Sequence, residues 1–105
     1  MDDTKTTLEA QADEIVAELV RLNEVLRERG DYGFGKGDPA VYQWEFNLAL
    51  RERYEQRLQQ IRKALGRLEA GLYGMCEGCD RPIETERLEA VPYTTLCISC
   101  AKKQV

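Results

Sequence analysis

Two runs decide how this chain is read: Cys76-Glu77-Gly78-Cys79 and Cys97-Ile98-Ser99-Cys100, with 17 residues between them. Each C-x-x-C is a tight turn that aims two sulfurs at one point. Two such turns supply the four corners of a tetrahedron, the arrangement zinc prefers. The expected metal ligands are therefore Cys76, Cys79, Cys97 and Cys100, holding one structural Zn2+. Four thiolates leave no coordination position for a catalytic water, and the binding energy of the ion becomes folding energy. The segment needs that energy, because its candidate core is only Ile83, Leu88, Val91 and Leu96. Two weaker alternatives remain. A pair of disulfides requires an oxidising compartment, and a redox C-x-x-C is expected beside a βαβ pattern. The acidic start Met1-Asp2-Asp3-Thr4 lacks the apolar stretch of a secretory signal, and no βαβ pattern is visible.

Upstream of the cysteines the apolar residues follow a helical period. Leu8, Ala12, Ile15, Leu19, Leu22 and Leu26 are spaced 4-3-4-3-4, the interval of a coiled-coil seam. Thr6 with Glu9 fits a capping box at the start of this helix, and Gly30 fits a left-handed cap at its end. A second line, Phe46, Leu50, Tyr54, Leu58, Ile61, Leu65, Leu68 and Leu72, is spaced 4-4-4-3-4-3-4, with a stutter at its upper end. Asp38 followed by Pro39 predicts the start of the second helix, with Asp38 as N-cap and Pro39 in the first helical position. The expected organisation is mainly α: helices over about 4–29 and 39–72, a tip loop at 30–38, and a zinc finger over 73–105. The helices fold back as an antiparallel coiled-coil hairpin with the finger at its base. At 1.5 Å per residue they would be about 39 Å and about 50 Å long.

Composition narrows the function. The 105 residues carry 19 acids, 15 bases and no histidine, for a formal charge of −4. That balance argues against a protein built to grip phosphate backbones. The missing histidine removes Ser-His and Cys-His catalytic pairs. No run approaches the 18 or so apolar residues of a membrane span, so a soluble cytoplasmic protein is expected. Residues 2–31 hold nine acids against four bases, whereas residues 43–70 hold four acids against six bases. Charge pairing between the helices is the first reading of that asymmetry; an arginine face for an acidic partner is the second. The tip concentrates Tyr32, Phe34, Tyr42, Trp44 and Phe46, five of the eight aromatics. They read either as a plug closing the hairpin or as an adhesive surface.

The stretch Gly71-Leu72-Tyr73-Gly74-Met75-Cys76-Glu77-Gly78-Cys79, then Ile83, Arg87-Leu88-Glu89-Ala90-Val91-Pro92 and Leu96-Cys97-Ile98-Ser99-Cys100, resembles the DksA/TraR family of bacterial transcription regulators. The run Glu45-Phe46-Asn47-Leu48-Ala49-Leu50-Arg51 resembles the family as well. The resemblance implies a protein that is not an enzyme. It implies direct binding to RNA polymerase, with the hairpin in the secondary channel and no sequence-specific DNA contact, to change initiation at selected promoters. The family's tip pattern is D-x-x-D-x-A. Asp38-Pro39-Ala40 matches its second half, and Gly35 stands where the first acid would be. Asp38 and Ala40 are thus the expected effector residues, with Arg51 and Arg53 as further polymerase contacts.

Members that respond to guanosine tetraphosphate carry a base just before the finger's proline and another just after the last cysteine. Here those positions are Val91 and Ala101, so weak or absent alarmone binding is expected, with Lys102 or Lys103 as partial substitutes. A monomer is expected. The alternatives from other classes are a zinc-ribbon nucleic-acid binder and a coiled-coil structural adaptor that self-associates through its seam.

Overall fold

The computed structural model describes residues 2–103, with side chains described for all of these except residues 2 and 29–32. Helix α1 spans Asp2–Tyr32 and α2 spans Ala40–Glu69, followed by short helices α3 (Thr85–Ala90) and α4 (Ile98–Lys103). Among the described residues no strand forms; a single antiparallel bridge joins Met75 and Pro82. The fold is the mainly helical hairpin with a four-cysteine segment that the periodicity predicts. None of the described helices is long and apolar enough to cross a membrane.

The helix boundaries differ from the expected ones, and the backbone shows why. α1 begins at Asp2, so Thr6 and Glu9 lie inside it rather than at its cap. Gly30 does not stop α1; the helix runs on to Tyr32, and Gly33, at φ +69°, is the first residue beyond it. α2 ends at Glu69, three residues before Leu72. Its end is a Schellman motif: Leu72 N–H reaches the Arg67 carbonyl at 2.8 Å, and Gly71 N–H reaches that of Leu68 at 3.1 Å. Gly71 takes the left-handed conformation this motif requires, φ +75°. The two helices, at 31 and 30 residues, are therefore nearly equal in length.

Contacts group the chain into two compact units, Asp13–Leu58 and the pair Met1–Ala12 with Gln59–Val105. Within the first, Ile15, Leu22, Leu26 and Leu58 are buried. Arg51 donates from Nη1 to Asn23 Oδ1 at 3.3 Å, a polar link from α2 to α1. Arg21 pairs with Glu18 and Arg51 with Glu55, each within a single helix. The loop before α2 is a turn in which Asp38 N–H reaches the Gly35 carbonyl at 3.1 Å. Phe34 packs edge-on against Trp44, ring centroids 5.4 Å apart. Tyr32 belongs to the same expected cluster, but its side chain lies outside the described residues.

The second line of apolar residues needs one correction. Phe46 does not head the seam: it is 61% exposed. A spacing of four residues drifts around a helix of 3.6 residues per turn, so 46, 50, 54 and 58 cannot all face one way. The inward face of α2 here is set by Val41, Trp44, Leu48 and Arg51, all half-buried.

In the second unit Leu8, Ile61 and Ala64 are buried, and Cys76, Ile83 and Cys97 form the core of the cysteine segment. Leu88, Leu96 and Cys100 pack against that core. Ala64 is not part of the expected seam; its small side chain hides a core position between Ile61 and Leu65, whose larger apolar side chains are easier to read.

Candidate metal centre

Each cysteine pair is shaped by its own backbone. In the first, Cys76 N–H reaches the Arg81 carbonyl at 2.8 Å and Asp80 N–H reaches that of Cys76 at 3.0 Å, so the chain turns around the sulfurs. Asp80 completes the turn at φ +61°, a conformation that aspartate tolerates better than most residues. In the second, Cys97 stands before α4, and Ala101 N–H bonds its carbonyl at 2.9 Å. The two turns are stitched together by Glu77 N–H to the Thr95 carbonyl at 2.9 Å. Thr94, buried, folds the intervening loop by donating to the Leu96 carbonyl at 2.9 Å.

The four Sγ atoms all lie within 4.8 Å of one another. Cys79 and Cys97 sulfurs are 3.8 Å apart. Sulfurs bound to one zinc at about 2.3 Å in a tetrahedron would be separated by about 3.8 Å, so the donor set fits the ion. The four cysteines are the only described group of three or more metal-ligating side chains that comes together in this way. Zinc held here is structural, with every coordination position filled by protein.

The electrostatics of the thiols divide them. Backbone N–H donation from Cys97, helped by that of Cys79 and Gly78, lowers the Cys76 pKa to about 6 against the pull of burial. Gly78 N–H lies 3.3 Å from its sulfur. Cys100 is pushed up to about 12, chiefly by hydrogen bonding with the Cys76 and Cys97 thiols and by burial. Cys79 is also raised: burial and its neighbours Cys76 and Cys97 outweigh the lowering effect of Arg81 N–H. One sulfur is thus ready to bind metal as thiolate, while others must release protons. Arg81 and Lys103 line a groove of about 490 Å³ whose walls also include Cys79, Cys97 and Cys100. Their charges sit beside a tetrathiolate that zinc leaves with a net charge of −2.

The struts around this centre are not among the residues expected from the sequence. Arg87 Nε donates to the Leu96 carbonyl at 2.8 Å, tying α3 to the second cysteine turn. Arg67 Nη2 donates to the Met75 carbonyl at 2.8 Å, and Lys63 Nζ meets Glu77 Oε1 at 2.6 Å, tying α2 to the first. Tyr73 OH donates to the Pro92 carbonyl at 2.8 Å, and burial raises its pKa. Glu84 accepts from Ile98 N–H at 3.3 Å, at the start of α4. Side chains that serve a distant carbonyl leave no periodic trace in a sequence.

The other expected site residues fall as follows. Asp38 caps α2: its Oδ1 accepts from Ala40 N–H at 2.9 Å. Ala40 is the first residue of α2 and half-buried. Arg51 is engaged with Asn23 and, at 3.7 Å, with Glu55. Arg53, two residues on, is exposed on a different face of the helix. Val91 follows α3 and bonds the Arg87 carbonyl through its N–H at 2.7 Å. Ala101 is half-buried within α4, and Lys102 and Lys103 are exposed.

A helical hairpin joined to a closed four-thiolate site defines a zinc-finger protein with no catalytic metal position. The sequence profile described as "Prokaryotic dksA/traR C4-type zinc finger" matches residues 71–105. The chain is 32% identical to a solved structure of transcription factor DksA2 from Pseudomonas aeruginosa; the match covers 98% of this chain and 81% of that one, with a TM-score of 0.78. It is 33% identical over 95 residues to the RNA polymerase-binding transcription factor DksA of Haemophilus influenzae, covering 89% of this chain and 66% of that protein. Against the protein of the same description from Escherichia coli K12 it is 42% identical over 65 residues, 60% of this chain and 43% of that protein. The match thus spans less than half the length of the Escherichia coli relative. The chain belongs to the DksA/TraR family.

Proposed function

We propose that this protein binds RNA polymerase and modulates transcription initiation, acting as a regulator rather than an enzyme. The observation that carries the reading is the likeness, over nearly the whole chain, to a DksA2 structure, with the zinc site and the hairpin both included. The chain's working parts are a coiled-coil hairpin over 1–72 and a zinc finger over 73–105. The hairpin enters the secondary channel of the polymerase in the cytoplasm, as a monomer and without sequence-specific DNA contact. Asp38 and Ala40 act at its tip, and Arg51 and Arg53 contact the channel. Asp38 then has two roles, because its carboxylate both caps α2 and carries the tip's charge.

Guanosine tetraphosphate binds weakly or not at all at the finger. A polyphosphate needs cations in place, and Val91 and Ala101 offer none. Calorimetric titration of the protein–polymerase complex showing tight binding at the finger would contradict this. The main reading is tested by a photo-crosslinker at position 38, with purified polymerase as target. Crosslinks within the secondary channel support it; absence of any polymerase contact sinks it.

A further inference from the structure

The first turns of α2 carry a second stripe, facing away from the hairpin core. Tyr42, Phe46, Ala49 and Arg53 are spaced 4-3-4 and all exposed, while Val41, Trp44, Leu48 and Arg51 form the half-buried face. At 3.6 residues per turn the two sets lie on opposite sides of the helix. Tyr42 is 78% exposed and Phe46 61%. The rings stand one turn apart, close enough to form a single apolar surface. Neither can be drawn inward without turning Trp44 and Leu48 out, so the hairpin itself does not cover them. Large exposed aromatics at adjoining positions are unusual on a monomer surface and mark contact sites.

The size of the patch selects its occupant. Two rings exposed to this degree offer on the order of 300 Å² of apolar area. A stable homodimer needs about 800 Å² from each partner. The patch is too small to hold two copies together, but it suits an aromatic anchor within a larger interface. Arg53 places a cation at its lower end, to be met by a carboxylate.

We propose that this outer stripe is the face through which the hairpin beds against RNA polymerase: Tyr42 and Phe46 enter an apolar depression on the polymerase, and Arg53 meets an acidic group at its border. The inference rests on the reading of the protein as a polymerase binder and adds a contact face that includes Arg53 and lies across the helix from Arg51. The stripe supplies affinity, whereas the tip carboxylate of Asp38 supplies the effect on promoter complexes.

The test compares the 105-residue chain with Tyr42→Ser/Phe46→Ser, with the conservative Tyr42→Phe/Phe46→Leu and with Asp38→Asn. Affinity for polymerase is measured for each by fluorescence anisotropy. Melting curves follow the fold, which surface serines should leave intact. The expected result is a loss of roughly tenfold or more in affinity for the double serine variant, with binding retained by the conservative variant and by Asp38→Asn. If the parent binds and the double serine variant binds equally well, the stripe is no docking surface. If sedimentation instead reveals a dimer of the parent that the serine variant loses, the occupant is a second copy and the proposal is overturned. If the parent does not bind polymerase at all, the proposed function itself falls, and this occupant with it.

Discussion

A Cβ placed on Gly78 would lie 3.0 Å from Sγ of Cys100 and 3.3 Å from its Cβ. Gly78 belongs to the first cysteine turn and Cys100 to the second, so the two halves of the metal site meet where only a hydrogen fits. Cys100 cannot move aside freely once its sulfur is fixed by zinc at about 2.3 Å. Gly78→Ala should therefore weaken zinc binding and destabilise the finger by about 1–3 kcal/mol, the usual range for overpacking. Competition with a chromophoric chelator reads the first effect and thermal unfolding the second. Zinc affinity equal to the parent's would show that the turns can separate without cost.

Two glycines, Gly66 inside α2 and Gly71 in the turn that ends it, should respond to alanine with opposite signs. Gly66 is helical, and its added Cβ would meet nothing within 4 Å. Gly66→Ala should stabilise the protein by about 0.5–1 kcal/mol through helix propensity. Gly71 holds φ +75° in the Schellman turn, where a Cβ is strained whatever the space around it. Gly71→Ala should destabilise by about 1 kcal/mol or more. Denaturant midpoints for the pair check both; two changes of the same sign would contradict this account of how α2 ends.

Asp38 allows its cap and its charge to be separated. Asparagine can accept the same hydrogen bond from Ala40 N–H that Asp38 Oδ1 accepts at 2.9 Å, whereas alanine cannot. Asp38→Asn should leave stability nearly unchanged, and Asp38→Ala should cost about 1 kcal/mol. On the proposed function both variants still bind polymerase but lose most of their effect on promoter-complex lifetime. Full activity in the asparagine variant would leave the residue a cap and nothing more.

What could be read from the sequence was what depends on spacing. The two C-x-x-C pairs announced the sulfur cluster because nearly any chain bringing those turns together must bring four thiols together. Leu8, Ile15, Leu22 and Leu26 announced the α1 seam because large apolar residues at heptad positions have few other uses. Three features resisted. Gly30 and Gly33 are equally good helix stops on paper, and only the folded loop chooses between them. Phe46 looked like seam because its apolar character was visible while its angular drift from Leu58 accumulated unseen. Arg67, Tyr73 and Arg87 bond carbonyls 8 to 19 residues away, and those partners exist only after folding. The polar framework around the zinc was thus the least legible part of the site, although it decides how rigidly the site is held.

Zinc removal and pH should act through the same four sulfurs. Metal binding needs all of them as thiolates. In the metal-free fold Cys76 is held at about 6 by backbone N–H donors, below the ordinary thiol value of 9.0. Cys100 is raised to about 12 by its neighbouring thiols, and Cys79 is raised as well. Binding near neutral pH must therefore expel protons from Cys79 and Cys100, so zinc affinity rises with pH across that range. Below about pH 6 Cys76 also takes up a proton, and affinity should fall more steeply. For the metal-free protein the signs are opposed. The lowered Cys76 contributes stability that is full above 9 and lost as pH falls through about 6; the raised Cys100 contributes stability that is present below 9 and lost as pH rises through about 12. Chelation should unfold the segment after Gly71 first, since its core is only Cys76, Ile83 and Cys97 with three partly buried neighbours. Zinc titrations at several pH values, in buffers of different ionisation enthalpy, count the protons released. A proton count near zero at pH 7, or an affinity independent of pH between 5 and 8, would exclude a four-thiolate site of the kind described.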